Sequence, residues 1–188
     1  MRDVVYTARV KIQGVTQMLH HKCGLIETLS KKDYAEEWKS TAYINSENEL
    51  MVPSLNLKAC LKTGAKGIKY GKHFMTKLLP AGVSICFPFE IPIMFKGSRI
   101  TLDDVKENNW LFTCPVVIGT SRINRTRVAV PIGWEIEFSL EVYNKLIVKE
   151  TLKEIIENSG YSAGLCDWRP GKGGEFGQFE LVSFDIET

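Results

Sequence analysis

Between residues 4 and 13 apolar and polar side chains alternate, with Tyr6, Ala8, Val10 and Ile12 on one side and Val5, Thr7, Arg9, Lys11 and Gln13 on the other. A period of two predicts a half-buried strand. The same period is strongest over residues 82–95, where Val83, Ile85, Phe87, Phe89, Ile91, Ile93 and Phe95 take every odd position. Pro88 and Pro92 fall on the opposite face and place this strand at a sheet edge or a bend. Residues 110–118 read as a further strand, residues 132–142 as a long one, and residues 178–186 as the last. Elsewhere the period lengthens to that of a helix. Leu57, Leu61, Ala65 and Ile68 form one apolar stripe after Pro53, with Ser54 as the expected N-cap. Val148, Leu152, Ile155 and Ile156 form a second, for which Gly160 is the expected C-cap. Residues 101–108 open like a short capped helix, and a short hairpin is expected at residues 45–48. Residues 14–40 show no sustained period and are expected as a long loop with a helical turn near residues 33–38. Residues 119–127 are expected as a basic loop.

The resulting order, strand–helix–strand twice over, predicts an α+β fold. Its expected form is a ferredoxin-like (RRM-like) antiparallel sheet with helices on one face. Residues 1–188 are expected as a single domain with loop insertions near 14–40 and 96–130. Composition agrees with a globular chain, since 44% of the 188 residues are hydrophobic and 24% charged. No apolar run approaches the roughly 20 residues of a membrane span, and the alternating N-terminus does not resemble a secretory signal. Five cysteines, odd in number and never in a C-x-x-C pair, argue against a disulfide framework and against a thiolate zinc site. A reduced, cytoplasmic setting is expected, with no cofactor, no metal and no membrane partner.

The net charge of +2 hides a separation of signs. Residues 53–89 hold six lysines (Lys58, Lys62, Lys66, Lys69, Lys72 and Lys77) and no acid, and residues 108–134 hold Arg122, Arg125 and Arg127, again with no acid. Lys58, Lys62, Lys66 and Lys69 are spaced four, four and three apart, where like charges on a helix repel. An anionic partner would relieve that repulsion. A third basic segment surrounds Arg169 and Lys172, among Gly164, Gly171, Gly173, Gly174 and Gly177. Gly171, Gly173 and Gly174 are expected to turn backbone N–H groups toward phosphate oxygens. This loop follows a helix and precedes a strand, the reverse of a dinucleotide fingerprint, and it lacks the Gly-Lys-Ser/Thr of a P-loop. A tight connection into the last strand is the alternative. Tyr161, Trp168 and Phe176 lie beside it, for stacking on unpaired bases or for the core. The cations of all three segments are expected to line one groove for a sugar-phosphate strand.

Catalysis has thinner support. His20 or His21 could act as general acid or base in a metal-independent endoribonuclease, with a nearby cation stabilising the developing charge. Asp33 is a candidate metal ligand or in-line positioning residue. No G-x-S-x-G elbow supports a serine nucleophile.

Two motifs carry a family resemblance. Pro53-x-x-x-Leu57-Lys58-x-x-Leu61-Lys62 resembles the proline-initiated basic first helix of the RAMP superfamily, the RNA-binding proteins of CRISPR effector complexes. Ser54 stands where that pattern usually has glycine. The run from Gly171 through Lys172, Gly173, Gly174, Glu175 and Phe176 to Gly177 is similar to that family's C-terminal glycine-rich loop before the last strand. The closest similarity is to the backbone subunits that line the guide RNA. The resemblance implies binding of RNA or single-stranded DNA through Lys58, Lys62 and the glycine loop. It also implies assembly as a homo-oligomer or as a ribonucleoprotein subunit. Asp33 falls where some backbone subunits carry a target-cleaving aspartate. A stand-alone or virus-encoded relative, acting as a protein module that imitates or caps a backbone subunit, is the alternative from a different functional class.

Overall fold

The structure is a computed structural model, and it describes residues 3–22, 36–86 and 89–187. The first half of the chain runs β1 (Tyr6–Gly14), β2 (Met18–His20), α1 (Trp38–Thr41), β3 (Met51–Pro53), α2 (Ser54–Gly64), β4 (Lys69–Tyr70), β5 (His73–Phe74), α3 (Met75–Gly82) and β6 (Val83–Ile85). The second half runs β7 (Glu90–Pro92), β8 (Met94–Phe95), β9 (Ser98–Arg99), α4 (Leu102–Glu107), β10 (Leu111–Ile118), β11 (Ser121–Val130), β12 (Glu135–Val142), α5 (Lys149–Ser162) and β13 (Phe179–Glu187). Asp33 and Cys23 lie outside the described residues.

β1 is the centre of the main sheet. It pairs antiparallel with β12 on one edge and β13 on the other, and β12 in turn pairs with β6 and β8. Ala8, Val10 and Ile12 share a face with Ile136, Phe138, Leu140 and Val142, all buried. Helices α2 and α5 cover this face, adding Leu57, Leu61, Leu152, Ile155 and Ile156 to the same apolar cluster. The amphipathic periods of both kinds therefore agree with the packing. Among the described residues no helix is long and apolar enough to cross a membrane, and the four described cysteines are free thiols.

The expected boundaries change where tertiary contacts outweigh local signals. Ser54 is the first residue of α2 rather than its cap; its N–H donates to Phe89 O at 2.8 Å, and Pro53 is the extended residue before the helix. α5 passes through Gly160 and ends on Ala163. Gly160 is needed for closeness, because a Cβ there would lie 2.0 Å from the carbonyl oxygen of Phe179. Gly64 likewise lets α2 meet α5 at Ser159. Residues 82–95 are not one strand. β6 pairs with β12, β7 with β3 and β8 with β9, a division that suits a segment whose prolines have no N–H for a ladder. An unforeseen helix, α3, carries Pro80 just before it. Only α4 matches its expected cap, with the Thr101 hydroxyl and the Asp104 carboxylate closing a capping box.

The two expected insertions hold regular structure. β10 and β11 form a long hairpin from Leu111↔Val128 to Ile118↔Ser121, and β2 pairs with the far end of β11. Residues 119–127 are thus a turn and a strand, not a loop. Arg125 and Arg127 conceal the strand from a hydrophobicity pattern because their charges are matched by acids distant in the chain.

Replacing Gly160 by Ala tests the α5–β13 contact. The intruding methyl group should cost about 1–3 kcal/mol, read as a lower urea midpoint at unchanged slope. A midpoint equal to the unmodified protein's would show that the contact has slack.

Candidate nucleic-acid interface

α2 turns Leu57, Cys60, Leu61 and Gly64 inward, which leaves Leu55 and Lys62 in solvent and Lys58 half-buried on the flank. The helix stops at Gly64, so Lys66 and Lys69 belong to the connection beyond it. Gly67, at φ 82°, turns that connection into the β4–β5 hairpin. There Lys69 faces Phe74, its ammonium 4.3 Å from the ring centroid, and Tyr70 faces His73. Tyr70 is 43% exposed and Phe74 44%, unusual for aromatic rings. α3 begins at once, tied back by the Met75 N–H to Ile68 O bond of 3.0 Å, and carries Lys77 in solvent. No ion pair among the described residues engages Lys58, Lys62, Lys66, Lys69, Lys72 or Lys77. Along the chain these elements carry six lysines and no acid.

The solvent face of the sheet has the opposite character. Cross-strand register places Thr7, Arg9, Lys11 and Gln13 beside Glu141, Ser139, Glu137 and Glu135 on one edge, and beside Glu187, Asp185, Ser183 and Glu180 on the other. Six carboxylates against two cations repel a phosphate chain. Arg9 and Lys11 are themselves paired with Glu187 and Glu135, at 2.8 and 2.9 Å. No aromatic side chain of β1, β12 or β13 points to this face, so the ring-lined sheet of an RRM has no counterpart here.

The remaining candidates lie outside the segment from α2 to α3. Arg122 is exposed near the tip of the β10–β11 hairpin, beside Val117. Arg125 makes a two-pronged pair with the buried carboxylate of Glu37. Arg127 is buried; its Nε donates to Asp167 at 2.8 Å, Nη1 reaches Cys114 Sγ at 3.4 Å, and the guanidinium lies 5.3 Å from the centroid of Trp168. Both arginines are therefore engaged structurally, Arg125 fixing the hairpin to the start of α1 and Arg127 fixing it to the glycine loop. In that loop the N–H groups of Gly171, Lys172, Gly173, Gly174 and Phe176 donate to carbonyls of residues 163–170, and that of Gly177 donates to Gln17. These amides hold the loop's own turns and do not form the expected phosphate cradle. A Cβ on Gly174 would fall 1.8 Å from the Trp168 carbonyl oxygen, and one on Gly177 would fall 2.0 Å from that of Leu165. Arg169 donates to the Cys166 carbonyl, while Lys172 extends into solvent. Trp168, at φ 47°, stacks with Phe176, and Phe112 sits edge-on to it; Tyr161 is exposed.

The loop docks on α2 where Asn56 lies beside Cys166 and Cys60 lies near Arg169. Burial pushes both thiols, Cys60 and Cys166, up to about 12. Two residues turn about 200° around a helix, so Lys58 and Lys62 each lie about 160° from Cys60. The lysines and the glycine loop occupy different sides of α2, and the expected single groove is not formed.

The histidines correct the catalytic expectation. His20 is fully buried on β2, its Nδ1 accepting from the Tyr43 N–H at 3.3 Å, and burial lowers its pKa to about 4. It is enclosed and neutral, out of reach of any strand. His21 is half-buried among Arg125, Arg127, Asp167 and Glu37; burial first, then the two arginines, lowers its pKa. The hairpin aromatics Tyr70 and Phe74 escaped the sequence pattern. Their signal was Gly71-Lys72 between two short polar-aromatic pairs, a two-residue hairpin turn. The acids that hold the arginines, Glu37 and Asp167, gave no local signal.

Two consequences follow for stability. His20 binds its proton more weakly when folded than at its ordinary 6.5, so stability is complete above about pH 6.5 and declines as pH falls toward 4. From pH 7 to pH 5 this group should remove roughly 2 kcal/mol, measured by urea unfolding, and His20→Leu should flatten that dependence. Arg127→Ala, which strands the Asp167 carboxylate, should cost about 3 kcal/mol, whereas Arg122→Ala should stay within about 0.5 kcal/mol. Equal effects would deny Arg127 its structural role.

No family model and no curated protein matches the sequence. Among solved structures, the fold is similar to a chain in the cryo-EM structure of the type III-B Cmr-beta bound to cognate target RNA, with a TM-score of 0.54 and 11% identity. The similarity covers 96% of this chain and 60% of the other, so the present chain spans less than two thirds of that relative's length.

Proposed function

We propose that this chain binds RNA, or a similar single strand, along the lysine ridge of α2, the β4–β5 hairpin and α3. The observation that carries this reading is the division of charge. Along the chain the segment from α2 to α3 carries six lysines and no acid, whereas the far face of the sheet presents six carboxylates. A polyanion is drawn to the first surface and repelled from the second. Lysine ammonium groups bind phosphates in any sequence context, and the exposed rings of Tyr70 and Phe74 offer faces on which unpaired bases stack.

The core that supports the ridge is ferredoxin-like in our reading. β1–α2–β6 and β12–α5–β13 are two strand–helix–strand units, their strands lie in the order β13-β1-β12-β6, and both helices cover one face. Residues 14–40 and 96–130 are then additions to one RAMP-like domain spanning residues 1–188. Likeness to a chain of an RNA-bound Cmr structure supports RNA as the ligand and a ribonucleoprotein as the setting, in which several copies could line one strand. Lys58, Lys62, Lys66 and Lys69 are the proposed phosphate contacts. Arg122 and Lys172, the exposed cations of the hairpin tip and the glycine loop, serve peripheral contacts. Arg125, Arg127, Arg169, Gly171, Gly173 and Gly174 shape the surface behind them.

Changing Lys62 and Lys66 together to Glu should weaken binding of labelled single-stranded RNA for every sequence alike. It should also flatten the log–log salt dependence by about 1.4, or 0.7 for each phosphate no longer neutralised. Affinity and slope equal to the unmodified protein's would remove the ridge from the interface.

A further inference from the structure

The ridge ends at a groove of ≈ 570 Å³. Lys77, Leu78 and Gly82 of α3 form one wall, and Tyr143, Asn144 and Lys145, from the connection between β12 and α5, form the other. Its size falls within the roughly 300–1,000 Å³ typical of small-ligand sites. The walls are held together by backbone: the Tyr143 N–H donates to Gly82 O at 2.8 Å, and β6 pairs with β12 directly below. A side chain at Gly82 would crowd this junction, since a Cβ would lie 2.8 Å from Ile147 Cδ1 and 2.9 Å from Asn144 Cβ. Asn144 stiffens the second wall by accepting the Leu146 N–H on its Oδ1 at 3.0 Å. The backbone of both walls is thus fixed, with the exposed side chains of Lys77 and Lys145 at the rim.

We infer that this groove is a nucleotide-binding site, taking one nucleoside monophosphate unit with its phosphate between Lys77 and Lys145 and its base against Tyr143. The inference rests on the RNA-binding reading for the ligand's class and adds a position at the α3 end of the ridge, where Lys77 stands opposite Lys145. Two lysines from separate segments flank the groove, both are exposed, and among the described residues no carboxylate lines it. The nearest acid of this strand, Glu141, accepts the Tyr143 hydroxyl, which turns that carboxylate toward the tyrosine and anchors the ring. Between the cations the lining is mixed, with Leu78 and the Tyr143 ring beside the Asn144 amide. A bare anion would leave the apolar part empty and an apolar ligand would leave the lysines unpaired; a nucleotide satisfies both. Lys77 also belongs to the helix that follows the Tyr70–Phe74 hairpin, so a strand lying on the ridge continues into the groove.

The same chemistry is offered by a free nucleoside monophosphate and by one unit of a bound strand, and two measurements separate them. In the first, adenosine 5′-monophosphate, adenosine and inorganic phosphate are titrated separately into the full chain by NMR. Adenosine 5′-monophosphate should perturb the amides of Lys77, Gly82, Tyr143 and Lys145 at concentrations where the other two do not, and Lys77→Gln with Lys145→Gln should abolish the response. In the second, the same double variant is titrated with single-stranded RNA. A salt slope flatter by about 0.7, the value for the one phosphate held between the two lysines, identifies the occupant as a unit of the strand. A nucleotide response with an unaltered RNA slope identifies a free nucleotide. Equal responses to inorganic phosphate and to adenosine 5′-monophosphate, or none to either, overturn the inference. The RNA-binding reading is judged separately by Lys62 and Lys66, and the thermal unfolding of the double variant, both changes being at exposed positions, verifies that the fold is intact.

Discussion

Strand β1 has a hydrogen-bonded partner on each edge, and its two faces cannot be equivalent. Ala8, Val10 and Ile12 point to one side and Arg9, Lys11 and Gln13 to the other, so one face has to be covered and the other has to stay wet. α2 and α5 provide the cover. Gly64 and Gly160 allow these helices to approach each other and β13 more closely than any other residue would. Once both helices lie on one side, every outward position of α2 and α3 belongs to one surface and every outward position of the sheet to another. The carboxylate-bearing face of the sheet is thereby kept apart from the lysines of α2 and α3.

The second region is organised differently. The β10–β11 hairpin and the glycine loop meet around two arginines, Arg125 with Glu37 and Arg127 with Asp167, in surroundings where an unpaired charge would be costly. Such pairs contribute less net stability than apolar packing of the same volume, but they tolerate few alternative partners. Here they join three segments far apart in sequence: the start of α1, the hairpin, and the loop after α5. The buried, neutral His20 lies on β2, which completes the same small sheet. Basic residues that look like ligand contacts in a linear reading thus act as fasteners, and the loop's glycines serve close backbone packing.

On the proposed reading, a surface built from lysines has physical limits. Ammonium groups on flexible stems neutralise phosphates without reading bases, and whatever selectivity exists has to come from rings and grooves. Beside the exposed Tyr161 of α5, two features are of that kind: the pair Tyr70 and Phe74, and the walled groove at Tyr143. Both arise at connections, the first between α2 and α3 and the second between β12 and α5, where the backbone departs from the regular packing of the core.

The amphipathic elements were legible because their signals are local. Period-two alternation in β1 and β12, the last strand β13 and the capped start of α4 depend only on neighbours within a few residues and appear as expected, and the stripe of α2 does so as far as Gly64. The division of residues 82–95 and the strand character of Ser121–Val130 were not legible, since pairing partners and compensating acids are chosen across the chain. The same holds for the candidate sites. Composition was enough to show that residues 53–89 carry six lysines and no acid, whereas the helical spacing expected through Lys69 ends with α2 at Gly64. By itself, then, the sequence determined which segments are amphipathic and where positive charge is concentrated. The tertiary structure alone decided which cations remain available, because a guanidinium is withdrawn from solvent only when folding brings a distant carboxylate within hydrogen-bonding distance.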